Sequence, residues 1–309
     1  MLLHPMDILE RFPVRKTNSQ KQAFRDAVQS YGEKLGYPVT VEKGRFGAAN
    51  LILGDPETAK FLITAHYDTC ANMLLPNFIT PCNVMLYLLY QFGLVFLMMI
   101  GAGAIGAAVG LLLGSGTVKW VSLVVYWILL FLMILGPANK TNANDNTSGV
   151  ITLLEIAKTM PENQRHKVCF VLFDLEEAGL IGSASYRRKH KKASDSQIVL
   201  NLDCVGDGDH LMMFPTKKLR KNRRKLTSLY RACGYFGKKS LLIYEKGASV
   251  YPSDQKHFPY GVGICALRKR KKLLYMSRIH TKKDTVLEET NVNILRAALT
   301  TFICCDEVN

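Results

Sequence analysis

Val168-Cys169-Phe170-Val171-Leu172-Phe173-Asp174-Leu175-Glu176-Glu177 is the stretch from which the chain is best read. Six apolar residues without alternation fit a strand buried on both faces, as in a sheet covered by helices on either side. The strand carries two adjacent carboxylates to its carboxyl end. There they repel each other and lose hydration, a cost that a nearby cation offsets and that a solvated surface pair never meets. A charged pair on a surface loop is the plain alternative.

Working outward, Ile198 to Leu202 is a second buried run and delivers Asp203. Asn50 to Leu53 and Phe61 to Ala65 read as strands joined across Gly54-Asp55-Pro56, with His66 at the end of the second. Asn18 to Leu35 has helical apolar spacing behind a possible Asn18 cap, and Ser148 to Met160 reads as a helix just after Asp145. Strands alternating with helices predict an α/β fold of three layers, α/β/α, with a central mixed, twisted sheet. Ligands gather at the carboxyl edge of such a sheet.

Taken singly, the polar strings have ordinary roles. His66 and Asp68 are two residues apart at a strand end, so the aspartate can hold the imidazole N–H as an outer-shell carboxylate does for a metal-bound histidine; a hydrogen-bonded structural histidine is the plain reading. Asn144-Asp145-Asn146 suits a turn and helix cap, or a carboxylate shared by two cations. His280, followed by Asp284, supplies a late histidine. His4, His166, His190 and His210 sit in polar or basic contexts and are expected to be solvated, while His257 has no assigned role.

Between His66 and Asp145 lies the longest uncharged stretch. Thr69 to Val118 holds no charged residue, and after Lys119 the run resumes from Trp120 to Asn139. A bilayer crossing needs about 20 mostly apolar residues, so two fit. If His66 and Asp145 meet, the chain must leave and re-enter on one side, which makes the number of spans even. We expect them at Val84 to Gly106 and Thr117 to Leu135, joined tightly among the glycines from Gly101 to Gly116. This divides the chain into residues 1–80 and 139–309 of a catalytic domain and an inserted hairpin, 81–138. Ala102, Gly106, Gly110 and Gly114 recur every fourth residue, a spacing that lets a second helix or a second protomer approach closely, or that a glycine-rich turn produces by chance. Tyr87, Tyr90, Trp120 and Trp127 fit headgroup-level positions or ordinary packing. An apolar arm buried in an oligomer is the non-membrane alternative.

The remaining 250 or so residues suffice for one α/β domain, by the usual scaling of core to length. The net charge of +15 resides in this polar part, in runs such as Arg187 to Lys192, Lys217 to Lys225 and Arg268 to Lys272, against only Lys119 in the connection between the spans. The bias of lysine and arginine predicts an integral, multi-pass protein of the cell membrane, with the catalytic domain and both termini cytoplasmic. Met1 to Lys16 has no apolar core of signal-peptide length. The eight cysteines form no C-x-x-C pair, which argues against a zinc ribbon and fits reduced thiols. The basic runs read as solvated helix faces first, anionic-lipid contacts second and nucleic-acid contacts least, since no aromatic interleaving accompanies them.

Five strings together are more specific than any one. Ala65-His66-Tyr67-Asp68-Thr69, Asn144-Asp145-Asn146-Thr147-Ser148-Gly149, Glu176-Glu177-Ala178-Gly179-Leu180-Ile181-Gly182-Ser183, Asn201-Leu202-Asp203 and Ile279-His280-Thr281 with Asp284-Thr285 resemble the M28 family of zinc aminopeptidases in its motif order. The resemblance implies a zinc-exopeptidase-like fold, a peptide substrate and two zinc ions, one held by His66, Asp145 and Asp203 and the other by Asp145, Glu177 and His280. It implies that Glu176 is the general base toward a metal-bridging water and that Asp68 orients His66. Cobalt and manganese suit the same donors. Two departures stand out: Ser253-Asp254-Gln255-Lys256-His257-Phe258 replaces a Ser-Asp-His segment near substrate, and the apolar insertion is absent from secreted members. Within the same fold a glutaminyl-cyclase-like acyltransferase, working with one zinc, is the alternative; a non-catalytic membrane-bound binding or scaffold relative is the other.

Overall fold

The buried apolar runs become the middle of a single sheet. A computed structural model describes residues 3–73 and 75–306. Its strands are β1 (Val39–Lys43), β2 (Ala49–Leu53), β3 (Phe61–His66), β4 (Val168–Phe173), β5 (Ile198–Leu202), β6 (His210–Pro215), β7 (Gly234–Phe236), β8 (Lys239–Ile243), β9 (Gly261–Arg270) and β10 (Leu273–Tyr275). The helices are α1 (Ile8–Arg11), α2 (Asn18–Lys34), α3 (Val84–Leu113), α4 (Val118–Leu135), α5 (Gly149–Thr159), α6 (Ile181–Lys189), α7 (Lys191–Ser194), α8 (Lys217–Lys221), α9 (Arg223–Leu229) and α10 (Glu289–Cys304).

The sheet order is β1-β2-β4-β3-β5-β9-β6-β8-β7, with β10 folded back on β9. β4, β3, β5 and β9 are parallel, and antiparallel β2 and β6 flank them, so the sheet is mixed. β2 and β3, expected as neighbours across a turn, are separated by β4: both pair with β4 rather than with each other. Alternate residues of the central strands enter two cores. Ile63, Phe170 and Leu200 face one side, and Leu62, Val171 and Val199 face the other with Tyr186 and Phe258. Each such fully buried side chain contributes about 1.5–3 kcal/mol, so burial on both faces holds the centre of the sheet. α5 and α10 pack together against the first side, and α6 lies on the second.

The cap of α2 lies one residue before the expected one. Thr17, not Asn18, accepts from the Gln20 N–H, and the Gln20 side chain accepts in return from the Thr17 N–H, a reciprocal pair that satisfies two otherwise unpaired donors. His190 is also not simply solvated. It packs on Tyr186 with ring centroids 4.4 Å apart, while its two nitrogens meet Glu57 at 2.5 Å and Glu42 at 2.9 Å.

The insertion forms two antiparallel-running helices joined by a single turn, Ser115–Thr117. α3 has 30 residues and α4, with the turn before it, spans Ser115–Leu135; both are long and apolar enough to cross a membrane. α3 continues past Gly101, Gly103 and Gly106, so the turn lies later than Gly106, the expected end of the first span. Glycine here serves contact rather than turning: a β-carbon added at Gly106 would sit 2.7 Å from the Val118 carbonyl oxygen on α4. The small-residue face thus packs within the chain. No residue of α4 is buried, and Leu111 and Leu112 at the tip of α3 are almost fully exposed. Both feet of the hairpin are tied to the domain, through Asn72 N–H to Pro137 O, Asn139 N–H to Cys70 O, and the paired backbones of Ile79 and Met276.

Candidate active site

Three neighbouring parallel strands end at one level. Their register sets His66 beside Phe173 and Thr64 beside Asn201, so His66, the Glu176-Glu177 turn and Asp203 all emerge at the same carboxyl edge. Asp145 arrives from the loop before α5, and His280 from the segment after β10. Leu175, Cys204 and His280 have left-handed backbones, with φ of 55°, 55° and 61°. None is glycine, and this conformation is costly for such residues; it clusters at functional sites when the surroundings enforce it. Here it bends the chain sharply beside Glu176, after Asp203 and at His280 itself.

The structure brings together all of the residues expected at the centre. His66 Nε2 lies 3.3 Å from Asp145 Oδ1 and 3.5 Å from Asp203 Oδ1. His280 Nε2 lies 2.9 Å from Asp145 Oδ2 and 3.6 Å from Glu177 Oε2. The two oxygens of Asp145 therefore face different histidines. Ligands held about 2.0–2.2 Å from one tetrahedral zinc lie roughly 3.3–3.6 Å from each other; three of these four distances match, the His280–Asp145 pair is closer, and the nitrogen-oxygen donor set suits that ion. Glu177 Oε1 is buried without a hydrogen-bond partner among the described residues, which leaves a further acceptor at the centre.

Backbone hydrogen bonds fix these side chains. Asp68 accepts from the N–H groups of Glu176 (3.0 Å) and Glu177 (3.2 Å). His66 Nδ1 is 3.2 Å from the Asp68 carbonyl oxygen and 3.6 Å from its carboxylate, so the Asp68 side chain holds the glutamate turn more directly than the imidazole. Asp284 does the same for the other loop, accepting from Asn144 N–H at 2.8 Å and Asp145 N–H at 3.0 Å. The flanking asparagines lock Asp145 to the segment after β5: Asn144 Oδ1 accepts from Gly206 N–H, and Asn146 donates to Leu202 O and accepts from Cys204 N–H. Arg15, fully buried, donates to Tyr67 O, Phe12 O and Thr147 Oγ1, and so joins the segments that carry His66 and Asp145. Burial lowers its pKa to about 10, opposed by Asp68 and Asp145, so it remains a cation at neutral pH.

Burial dominates the electrostatics. It pushes Glu177 up to about 8 and Asp284 to about 8, and raises Glu176 well above the carboxylate range. Burial alone would lower His280, but Glu177 and Asp145 outweigh it and leave His280 raised to about 9. Asp145 is held low by His280 and His66 against the opposing effect of burial. A dry cluster of this many carboxylates favours cations.

Sequence reasoning missed several neighbours. Asp254 is fully buried near Glu176 and beside Ser183, and burial raises it to about 7. Gln255, in the same unusual segment, accepts from Asn201 and donates to Tyr251 O; it braces the sheet. Cys70 lies close to Glu177 and His280, and Cys204 to Asp145 and Asp203. Burial raises both thiols well above their usual range, so they are neutral there. The cleft above the centre has a volume of about 140 Å³ and is walled partly by Tyr87 and Gln91 of α3.

A family model, peptidase family M28, matches residues 131–302, more than half of the chain. The chain belongs to peptidase family M28. The matched segment carries Asp145, Glu176, Glu177, Asp203 and His280, while His66 and Asp68 lie before it, on the other side of the hairpin. This M28 chain is 39% identical over 67 residues to aminopeptidase YwaD of Bacillus subtilis, an alignment that covers 21% of this chain and only 15% of that protein. Among solved structures, Legionella pneumophila LapA aminopeptidase superposes with a TM-score of 0.58 at 14% identity, over 99% of this chain and 72% of that one. A zinc-dependent exopeptidase from Parabacteroides distasonis gives 0.59 at 17%, over 97% and 95%. Porphyromonas gingivalis glutaminyl cyclase gives 0.59 at 15%, over 97% and 96%. These similarities establish the shared M28-type fold.

Proposed function

We propose that this M28 member is a membrane-anchored metallo-aminopeptidase that hydrolyses the N-terminal residue from peptides. His66, Asp145 and Asp203 hold one zinc ion in this reading, and Asp145, Glu177 and His280 hold a second. The observation that carries it is the shared carboxylate, with one oxygen toward His66 at 3.3 Å and the other toward His280 at 2.9 Å. A donor set complete enough for a second ion counts against the one-zinc acyltransferase alternative.

Zinc bound there supplies Lewis acidity, lowering the pKa of water and polarising the scissile carbonyl. The chain supplies the proton transfers. Glu176 lines the cleft and has its N–H fixed by Asp68, so its carboxylate is aimed from a rigid turn. It takes the proton of the attacking water and returns it to the departing amine, a role for which a carboxylate whose pKa is raised by burial is better matched than a solvated one. Asp284 and Arg15 keep the Asp145 loop in register with the strand ends.

The anchoring reading rests on α3 and α4, on their exposed apolar surfaces, and on a tight connection that returns the chain to the side it left. Residues 81–138 are the hairpin and the rest is one catalytic domain, cytoplasmic by the charge bias. Release of amino acid from a panel of aminoacyl amides by detergent-purified protein, abolished by chelation and by Glu176→Gln, is the expected result. Metal-independent release, or release indifferent to that substitution, contradicts the proposal.

A further inference from the structure

α3 is longer than α4 by 12 residues, about 18 Å at the α-helical rise. The helices meet at the Ser115–Thr117 turn, so the surplus lies at the start of α3, beside the catalytic domain. Tyr87 and Gln91 belong to this overhang and, four residues apart, share one face of the helix. That face is turned into the cleft that holds His66, Asp145, Glu176 and His280. The same stripe continues through Leu94 and Met98 into an apolar groove shared with α4. The apolar hairpin is thereby part of the active-site wall.

The wall is pinned at several points. Asn83 caps α3 by accepting from the Leu86 N–H at 3.0 Å. Ile79 exchanges two backbone hydrogen bonds with Met276, each 3.0 Å. Gln91 Nε2 donates to Asn77 Oδ1 at 3.3 Å, which spans the cleft side of the wall. Apart from the residues assigned to metal and proton transfer, those lining the cleft are uncharged: Asn77, Ile79, Tyr87 and Gln91 on the hairpin side, and residues such as Tyr251 and Ile279 opposite. A charged side chain resting against the wall of Asn77, Tyr87 and Gln91 loses its hydration in so small a cleft and finds no counter-charge on that wall.

We propose that Tyr87 and Gln91 are specificity-determining residues, forming the surface on which the side chain of the substrate's N-terminal residue rests, and that the class accepted is uncharged. The proposal rests on the aminopeptidase reading of the site and assigns to the hairpin a share in substrate selection as well as anchoring. Gln91 sets the polarity of the wall, and the Tyr87 ring supplies its apolar floor.

The test uses the full chain in detergent and measures kcat/KM for leucyl, glutaminyl, lysyl and aspartyl amides. Wild type is expected to favour the leucyl and glutaminyl substrates over the charged pair by at least about tenfold. Gln91→Glu is expected to raise the lysyl-to-leucyl ratio about tenfold, and Gln91→Lys to raise the aspartyl-to-leucyl ratio similarly, with bound zinc unchanged. Ratios that stay within twofold of wild type overturn the proposal. If the charged variants fail to fold, Gln91→Leu replaces them: a severalfold fall in the glutaminyl-to-leucyl ratio supports the assignment, and an unchanged ratio overturns it. Wild type that is inactive on all four substrates defeats the aminopeptidase reading itself. Activity that depends on Glu176 but has substrate ratios indifferent to Gln91 defeats only the present inference.

Discussion

The strand-end centre and the hairpin tip are built on opposite terms. At the centre nearly every polar group is buried and held by backbone hydrogen bonds, as Asp68 holds Glu176 and Glu177 and Asp284 holds Asn144 and Asp145. At the tip Leu111 and Leu112 expose apolar surface with nothing packed on them, while Gly106 presses against α4. The first arrangement makes charge tolerable away from water; the second suits a solvent that is itself apolar. What joins them is the beginning of α3, where one helix leaves the centre's wall and becomes part of the hairpin.

The largest effect that separates the two regions is expected from Glu176→Gln, which removes the proposed proton acceptor with an isosteric amide. A loss of about 10²–10⁴-fold in kcat is predicted with unchanged zinc content; a loss below tenfold breaks the assignment. Asp68→Asn and Asp284→Asn come next. Each leaves one N–H of a ligand-bearing turn facing an amide instead of a carboxylate, and a loss of about 10–100-fold in metal affinity or activity is expected, as for other outer-shell groups. Competition with a chelator measures it, and wild-type affinity in both variants contradicts the positioning role.

Gly106→Leu acts on the other region. Its side chain must displace the α4 backbone at Val118, and the overpacking is expected to destabilise the hairpin by about 1–3 kcal/mol. The matching check is thermal unfolding in detergent compared with Gly93→Leu, since Gly93 has open space at its β-carbon. Equal effects would mean that the Gly106 contact has no special weight.

The smallest effect is expected far from both regions, at His190. Hydrogen bonding to Glu42 raises its pKa, burial opposes this, and Glu57 adds to it. A histidine with a raised folded pKa contributes stability that is fully present below its unfolded value, about 6.5, and is lost as pH rises through the folded value. The melting-temperature gap between wild type and His190→Gln should therefore be wider at pH 6 than at pH 9. A gap that does not shrink contradicts the ionic clamp.

Much of the centre was legible because strands buried on both faces announce themselves as unbroken apolar runs. Val168–Phe173 and Ile198–Leu202 were readable to the residue, and with them the delivery of Glu176, Glu177 and Asp203. The neighbour order was not, since nothing in Ala49–Leu53 or Phe61–His66 specifies that β4 lies between them. The sharp bends were hidden as well, because Leu175, Cys204 and His280 adopt left-handed backbones without the glycine or asparagine that would signal them. Asp254 lies in the segment marked by its departure from a Ser-Asp-His pattern, but its burial beside Glu176 is a property of the fold rather than of its neighbours in sequence. In the sequence Tyr87 reads as a headgroup-level or packing side chain of an apolar helix, and Gln91 gives no signal of its own. Only the difference in length between α3 and α4 reveals that they lie below the paired part of the hairpin.

Metal content per chain tests the central claim most directly, that one carboxylate joins two ion sites whose parts lie on either side of an apolar hairpin. Elemental analysis of active, detergent-purified protein is predicted to find two zinc equivalents in wild type, and a fall well below one with loss of activity in Asp145→Ala. One equivalent or fewer in fully active wild type, or two retained by Asp145→Ala, would contradict it.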